Sequence, residues 1–322
     1  MKTCLLFGHN GLDFDVTLNL RSFYKKLGFW VFYSDKLYDA DLLVVLRAVD
    51  CEIDISAFHY SLIHVFDYGG WNYDGFIRTI NHQQTFIFST SEDRKISLVK
   101  KFNFPKKHVF IAFPPVSVDL WSKKLKKIKY QMVHIGNLKK ITVGDTFKEL
   151  FNNAISHFRA HIWGLGWEVN KNLYHGKAGL FQVSSIYSKS KFALGLMYPF
   201  QRNVTFSGRF WHAPLNGCML LSEPGLFTRM IPGVIETDYS IEDIQHKIKK
   251  DFDRYVLREE SKEFWECQYK ITMGYALSTL SNLIVNKRSV KTFINHHYLS
   301  LFNFAREFYQ KLRLFNLVKR KG

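Results

Sequence analysis

Short apolar runs alternate with helical patterns along the chain. Runs such as Thr3–Phe7 and Leu42–Leu46 are too short for helices. They also lack the apolar–polar alternation of a strand that has one solvent-exposed face. They are typical of parallel strands covered by helices on both faces. The pattern therefore predicts an α/β chain whose first part is a Rossmann-like domain. The predicted strands are 3–7, 29–33, 42–46, 62–66, 85–89 and 109–112, and the clearest helices are 15–27 and 92–102.

The alternation restarts in the second half of the chain. Met132–Leu138 is a predicted strand that enters a glycine loop at Gly136, just as the first strand enters one at Gly8. Further predicted elements are helix 146–158, strand 161–164, helix 183–190 and strands 192–196 and 218–221. We therefore divide the chain into an N-terminal domain (1–122), a basic linker (123–130), a second Rossmann-like domain (131–289) and a basic helical tail (290–322).

Residues 204–225 form the most informative stretch. Ser207 and Gly208 make a turn, a short helix begins at Arg209, and a buried strand ends at Glu223. Ligands of open α/β sheets lie where strand ends and helix starts face a crevice. An arginine at the head of a buried helix is costly without an anionic partner, so we expect Arg209 to bind an anion.

Residues 130–270 resemble the C-terminal half of GT-B glycosyltransferases, in particular the CgeB-like branch of the group 1 families. In those families a segment of the form R-x-F-E-A-x-A-x-G, followed by an acidic residue, closes over the donor; here residues 209–217 are RFWHAPLNG and Glu223 follows. Residues 186–194 and 232–244 extend the similarity, and FPPVSVD at 113–119 resembles the end of a GT-B N-terminal domain. The resemblance implies two Rossmann-like domains facing a cleft, with a nucleotide-sugar donor bound by the second.

The resemblance also implies a donor site. A nucleoside diphosphate needs positive charge, which Arg209 with Lys139 or Lys140 could supply without a metal, as GT-B enzymes generally do. We therefore expect no metal and no cofactor, the nucleotide sugar being a co-substrate. The predicted donor-binding residues are Gly136, Asn137, Lys139, Lys140, Tyr187, Ser207, Gly208, Arg209, His212 and Glu223.

Several of these residues have a plain structural alternative. His212 stands where the family carries a carboxylate for the ribose, and it could bind the donor or be a satisfied core histidine. The two lysines could solvate a loop, Glu223 could cap a helix, and Tyr187 could be a core aromatic.

An inverting enzyme also needs a base from the N-terminal domain. Asp13 and Asp67 follow predicted strands and lie beside aromatic residues, which can raise a carboxyl pKa toward a useful range. Both could instead be local cap or turn residues. A retaining enzyme would need no such base.

The charge is uneven along the chain. Residues 1–122 carry 13 basic and 13 acidic residues, so the whole net charge of +17 lies in residues 123–322. Residues 123–129 and 287–322 carry most of it, and the second of these segments also has leucine and phenylalanine at helical spacing. A basic amphipathic tail is typical of binding to an anionic membrane surface.

Cysteine spacing and the apolar runs indicate where in the cell the protein is found. The four cysteines have no metal-ligand spacing, no apolar run approaches the length of a bilayer span, and the N-terminus lacks a signal-peptide pattern. We expect a cytoplasmic protein, peripherally associated with the inner face of the cell membrane. It would transfer a sugar to a saccharide acceptor such as lipopolysaccharide, O-antigen or capsule.

Two alternatives remain. The basic charge and the 16% aromatic content would suit a nucleic-acid-binding protein, although we find no nucleic-acid-binding motif and expect no nucleic-acid partner. A GT-B scaffold without catalysis is the other, since His212 replaces a family carboxylate.

Overall fold

A computed structural model describes most of the chain. It covers residues 2–7, 14–34, 40–45, 60–65, 85–136, 146–167, 172–197 and 206–280. Within this part the strands form two sheets in which every neighbouring pair is parallel. The predicted α/β class is therefore confirmed.

The first sheet has six strands in the order β2-β1-β3-β4-β5-β6. They are β1 (Thr3–Phe7), β2 (Trp30–Ser34), β3 (Leu42–Val45), β4 (Tyr60–Val65), β5 (Thr85–Ser89) and β6 (Val109–Ile111). The second sheet has five strands in the order β11-β10-β9-β7-β8. They are β7 (Tyr130–Ile135), β8 (His161–Trp163), β9 (Ser190–Gly195), β10 (Met219–Ser222) and β11 (Val234–Glu236).

Eight α-helices lie in the described segments. They are α1 (Phe14–Lys26), α2 (Glu92–Phe102), α3 (Val118–Trp121), α4 (Thr146–His157), α5 (Leu180–Tyr187), α6 (Arg209–His212), α7 (Ile241–Lys249) and α8 (Arg254–Thr279). Two short 3₁₀ helices, Lys106–His108 and Pro214–Asn216, precede β6 and follow α6.

The second sheet shows why its strands are apolar on both faces. Met132 and Phe192 pack with helix α4, while their neighbours Val133 and Ala193 pack with the residues of α5 and α6. Successive side chains of a strand point to opposite faces, so each of these strands contributes to two cores. Polar side chains are left to the strand ends.

Helix α8 was not predicted from the sequence. It begins at the N-cap Asp253, whose carboxylate accepts hydrogen bonds from the Tyr255 and Val256 backbone. Trp265, midway along it, lies in the core beside the second sheet, whereas Leu277, near its end, lies in the core of the first sheet. The helix therefore ties the two sheets together.

The remaining sequence predictions fare differently. No helix in the described part is long and apolar enough to cross a membrane. Cys4 and Cys218 are buried free thiols, and Cys267 is a half-buried one. The tail 290–322 lies outside the described residues, and the domain boundaries stay predictions.

Thr272 of α8 provides a test of this tie. Its buried hydroxyl lies 2.9 Å from the Phe113 carbonyl, after the last strand of the first sheet, and 3.0 Å from the Gln268 carbonyl. Thr272→Val should lower the free energy of unfolding by about 1–3 kcal/mol, because a buried carbonyl loses its donor. The matched control is Thr279→Val, since the Thr279 hydroxyl bonds only within the helix, to Tyr275. Equal losses in urea unfolding would contradict this role.

Candidate active site

The candidate site lies at the carboxyl-terminal edge of the second sheet. Strand β7 ends at Ile135, β9 ends at Gly195 and β10 ends at Ser222. Helix α6 begins at this edge with Arg209, directly after Gly208. The position agrees with the general rule that ligands of parallel sheets bind outside the carboxyl ends of the strands.

Arg209 spans two of these strand ends. Its Nη1 donates to the Ile135 carbonyl at 3.1 Å, and its Nη2 donates to the Leu196 carbonyl at 2.6 Å. Its Nε is buried and has no hydrogen-bond partner within the described structure. Carbonyl oxygens fix the guanidinium in place but do not neutralise its charge. The arrangement is a fixed cation at the edge where a ligand would enter.

Gly136 allows the guanidinium to lie this close to the β7 loop. A Cβ on Gly136 would be 2.6 Å from Arg209 Nη1, a distance that real Cβ contacts essentially never show, and a tight 3.0 Å from His134 Nε2. The Gly136 carbonyl accepts a hydrogen bond of 2.7 Å from the Trp167 indole. The lack of a side chain at Gly136 therefore leaves room for Arg209 and His134 in their observed positions.

His134 lies beneath the same loop and was missed in the sequence analysis. Its Nδ1 lies 2.8 Å from the Leu194 carbonyl and must donate to it, which leaves Nε2 as an acceptor. Burial, and then the Arg209 cation, lower the pKa of His134 to about 3. The imidazole is therefore neutral. The only sequence signal was a histidine in an apolar strand just before a glycine.

His212, at the end of α6, contacts the other half of the molecule. Its Nε2 lies 3.3 Å from Oδ2 of Asp15, in the first turn of α1, and its ring meets the edge of Trp121 at 4.7 Å. Its Nδ1 is buried without a hydrogen-bond partner in the described part. The structure thus places His212 between the two sheets, in contact with a carboxylate of the first.

Glu223 is fully buried and its bonds point inward. The carboxylate accepts hydrogen bonds from the Met197 amide at 2.9 Å, the Ser222 hydroxyl and the Tyr239 hydroxyl. The Tyr239 hydroxyl also contacts the Gly195 carbonyl. Glu223 therefore holds the segment after β9 that carries the Leu196 carbonyl, and through it the position of Arg209.

Two predicted residues carry buried hydroxyls without a described partner. They are Tyr187, whose pKa is raised by burial, and Ser207, directly before Gly208. Buried polar atoms without partners are rare in native proteins, so each of these hydroxyls is a candidate to bond a ligand.

The other predicted residues lie outside the described part. They are Asn137, Lys139, Lys140, Asp13 and Asp67. Among the residues described, no group of three His, Cys, Asp or Glu side chains could hold a metal ion. The predicted independence from metals stays a prediction.

Gly208 tests the contact between the sheets. A Cβ on Gly208 would lie 2.5 Å from Asp15 Oδ2, so Gly208→Ala should break the Asp15–His212 contact and lower the free energy of unfolding by about 1–3 kcal/mol. Gly274→Ala is the matched control, because a Cβ there meets nothing within 4 Å; it should be neutral or stabilising by about 0.5–1 kcal/mol. Urea unfolding measures both, and equal effects would refute the contact.

The neutral state of His134 predicts a pH dependence of stability. Its pKa is about 3 in the folded chain against 6.5 ordinarily, so between these values the unfolded state binds more protons. The contribution of neutral His134 to the free energy of unfolding is fully present above pH 6.5. It is lost as the pH falls toward 3, by up to about 1.4 kcal/mol per pH unit. His134→Asn, which retains a donor for Leu194, should flatten urea-unfolding stability between pH 6.5 and about 4.5.

A second variant measures how much other histidines contribute to the pH dependence of stability. His161 and His175 are hydrogen-bonded at 2.8 Å, and burial is also the first cause that lowers the pKa of each. Both are more exposed than His134, so His175→Asn should flatten the pH dependence less. A slope that is unchanged in His134→Asn would show that His134 is protonated in the folded state.

Comparison with known proteins was made by sequence and by structure. No protein-family model and no curated protein matches the sequence. The DNA-modifying enzyme β-glucosyltransferase matches over 87% of this chain and 100% of its own, with 13% identity and a TM-score of 0.56. AviGT4, a glycosyltransferase of avilamycin A biosynthesis, matches over 87% and 99%, with 10% identity and a TM-score of 0.56. A glycosyltransferase from Rickettsia africae matches over 92% and 99%, with 9% identity and a TM-score of 0.53. The chain has the GT-B fold of these glycosyltransferases.

Proposed function

We propose that the protein is a glycosyltransferase that moves a sugar from a nucleotide-sugar donor to a saccharide acceptor. The observation that carries this proposal is Arg209, a fixed cation at the carboxyl ends of β7 and β9 whose hydrogen bonds within the described residues go to backbone carbonyls. In a GT-B fold this edge faces the other domain across the cleft. A diphosphate placed there would meet a positive charge that is already fixed in position.

The chemistry requires charge stabilisation at the leaving group. As the bond from the sugar to the diphosphate breaks, negative charge grows on the diphosphate, and a prepositioned guanidinium stabilises it more than it stabilises the intact donor. Lys139 and Lys140, shortly after Gly136, would add to this charge. On this proposal the protein needs no metal.

The remaining predicted residues receive supporting roles. Glu223 positions Arg209 through the segment after β9, so we assign it to the support of the site rather than to contact with the ribose. Tyr187 and Ser207 carry hydroxyls that lack a described partner and could bond the donor. His212 contacts Asp15, and we assign it to the alignment of the two domains across the cleft.

The acceptor would bind to the N-terminal domain. Strands β1 and β4 end shortly before Asp13 and Asp67, the two candidates for the base that takes the proton of the acceptor hydroxyl. An inverting reaction requires such a base, whereas a retaining reaction does not. Loss of transfer with retained donor binding in Asp13→Asn or Asp67→Asn would identify it.

We further propose a cell-surface glycan, such as lipopolysaccharide, O-antigen or capsule, as the acceptor. The basic charge of residues 123–322 supports a site of action at the inner face of the membrane, where lipid-linked glycans are built. The membrane association would be peripheral.

Nucleic-acid binding without sugar transfer is the second candidate function. The specific observation in its favour is the net charge of +17, together with the fold shared with an enzyme that modifies DNA. A polyanion would bind such a surface in a salt-dependent way. A scaffold that binds no donor is the remaining alternative.

Arg209→Ala tests the donor site. The wild-type protein should be stabilised against heat by one class of nucleotide sugar among UDP, GDP, CMP and dTDP sugars, by about 2.7 kcal/mol at a ligand concentration of about 100 times Kd. Arg209→Ala should lose this shift, because the ligand would then bury its charge without a partner. The matched control Arg229→Ala removes a partly exposed arginine paired with Glu236 and should retain the shift.

Other outcomes would redirect the proposal. If no nucleotide sugar shifts the wild-type melting temperature, the donor site is not competent and the non-catalytic scaffold is favoured. If salt-dependent retention on an oligonucleotide accompanies that result, the nucleic-acid alternative is favoured instead.

A further inference from the structure

Five lysines stand within seven residues between the two sheets. They are Lys123, Lys124, Lys126, Lys127 and Lys129, and the structure exposes all of them; we call this segment the lysine ridge. None of the five forms an ion pair with a described residue. Five positive charges this close together repel one another, and an anionic partner would reduce that repulsion.

The ridge is held in a fixed conformation. Arg258 donates to the Lys123 carbonyl at 3.2 Å, and Arg254 donates to the Lys126 carbonyl at 3.1 Å. Both arginines belong to α8, and each uses one of its donors on the backbone of the ridge. The lysine side chains therefore project from an anchored backbone rather than from a free linker.

The other side of the ridge is anchored as well. The Lys126 amide donates to the Ser188 carbonyl at 3.1 Å, and the Lys129 amide donates to the Lys189 carbonyl at 2.7 Å. Nearby acidic groups are already engaged: Asp253 caps α8 and Glu259 pairs with Arg258 and Lys262. The positive charge of the ridge is thus not cancelled locally.

The ridge lies away from the candidate active site. It is followed directly by Tyr130, the first residue of β7. Tyr130 is paired with Ser190, the first residue of β9. Arg209 contacts the opposite, carboxyl-terminal ends of these two strands. Binding of a donor to Arg209 therefore cannot account for the charge of the ridge.

Apolar side chains accompany the lysines. Ile128, within the ridge, is 42% exposed, and Tyr255, at the start of α8, is 58% exposed. The Tyr255 ring lies 5.2 Å from the Arg258 guanidinium, which holds the Lys123 carbonyl. Lysines with exposed aliphatic and aromatic residues suit a lipid interface, where headgroups take the charge and the acyl boundary takes the apolar groups. Nucleic acid offers phosphates but no comparable apolar layer.

We propose that the lysine ridge, with Ile128 and Tyr255, docks on the surface of an anionic lipid bilayer. The inference specifies the surface for the membrane association proposed above and rests on that proposal for its partner. Docking through the amino ends of β7 and β9 would leave the Arg209 edge directed away from the lipid. Donor exchange could then continue on the bound protein.

The test is co-sedimentation of the full chain with vesicles, without any nucleotide sugar. One set contains phosphatidylcholine alone and the other also contains phosphatidylglycerol. The wild type should bind only the anionic vesicles, and less at high salt. The variant with Lys123, Lys124, Lys126 and Lys127 all changed to Gln should bind roughly 600-fold more weakly, since each of the four lysines near such a surface contributes about fivefold.

The matched control changes Lys100, Lys101, Lys106 and Lys107 to Gln. These four lysines are exposed beside the first sheet, so the control removes the same charge from another place. It should bind within about twofold of the wild type. Ile128→Ser should weaken binding to anionic vesicles without changing its dependence on salt, because only the apolar contribution is removed.

Three results would overturn the proposal. They are a wild type that does not bind anionic vesicles, a ridge variant that binds like the control, and a ridge that retains an oligonucleotide while vesicles stay unbound. The last result would assign the ridge to nucleic acid. Because the experiment contains no donor, its failure is distinguishable from a failure of the nucleotide-sugar thermal shift.

Discussion

The burial of each parallel sheet on both faces is the constraint on which the rest of the molecule depends. In β7, Met132 and Val133 belong to different cores, so successive positions along the strand must be apolar. Polar groups that can bind a ligand therefore lie at the strand ends, where backbone carbonyls have no hydrogen-bond partner on a neighbouring strand. Arg209 uses two of them, at Ile135 and Leu196. The cation that the proposed reaction needs is thus held by the backbone of the sheet itself.

The surroundings of Arg209 form a connected set of polar contacts. Glu223 holds the Met197 amide, which fixes the adjoining Leu196 carbonyl that Arg209 binds. On the other side His134 is kept neutral, so it adds no second positive charge beside the guanidinium. A site built in this way is rigid before a ligand arrives, and preorganised charge is what stabilises a developing anion most effectively.

The two halves of the molecule are joined close to this site. Asn19 of α1 accepts hydrogen bonds from the Ser117 amide and the Trp121 indole, and Asn216 of the second half donates to the Trp121 carbonyl at 3.1 Å. The contact between His212 and Asp15 lies in the same region, and α8 contributes to both cores. These contacts connect the two halves next to His212, so a change in one half is expected to be felt in the other.

The sequence by itself determined the parallel α/β architecture and the near-boundaries of most strands, and it predicted that Gly136 follows a strand and that Arg209 begins a buried helix. These features depend on local patterns: apolar runs, a glycine after a strand, and a charge at the head of a buried helix. Only the tertiary structure decided that Glu223 points inward, that His134 lies beneath Arg209, and that α8 spans both cores. Those facts depend on which distant segments meet, as when Glu223 reaches the Met197 amide or Trp265 and Leu277 enter different cores. Contacts between residues far apart in the chain leave no periodic pattern in the sequence, because whether two such residues meet depends on how the whole chain folds.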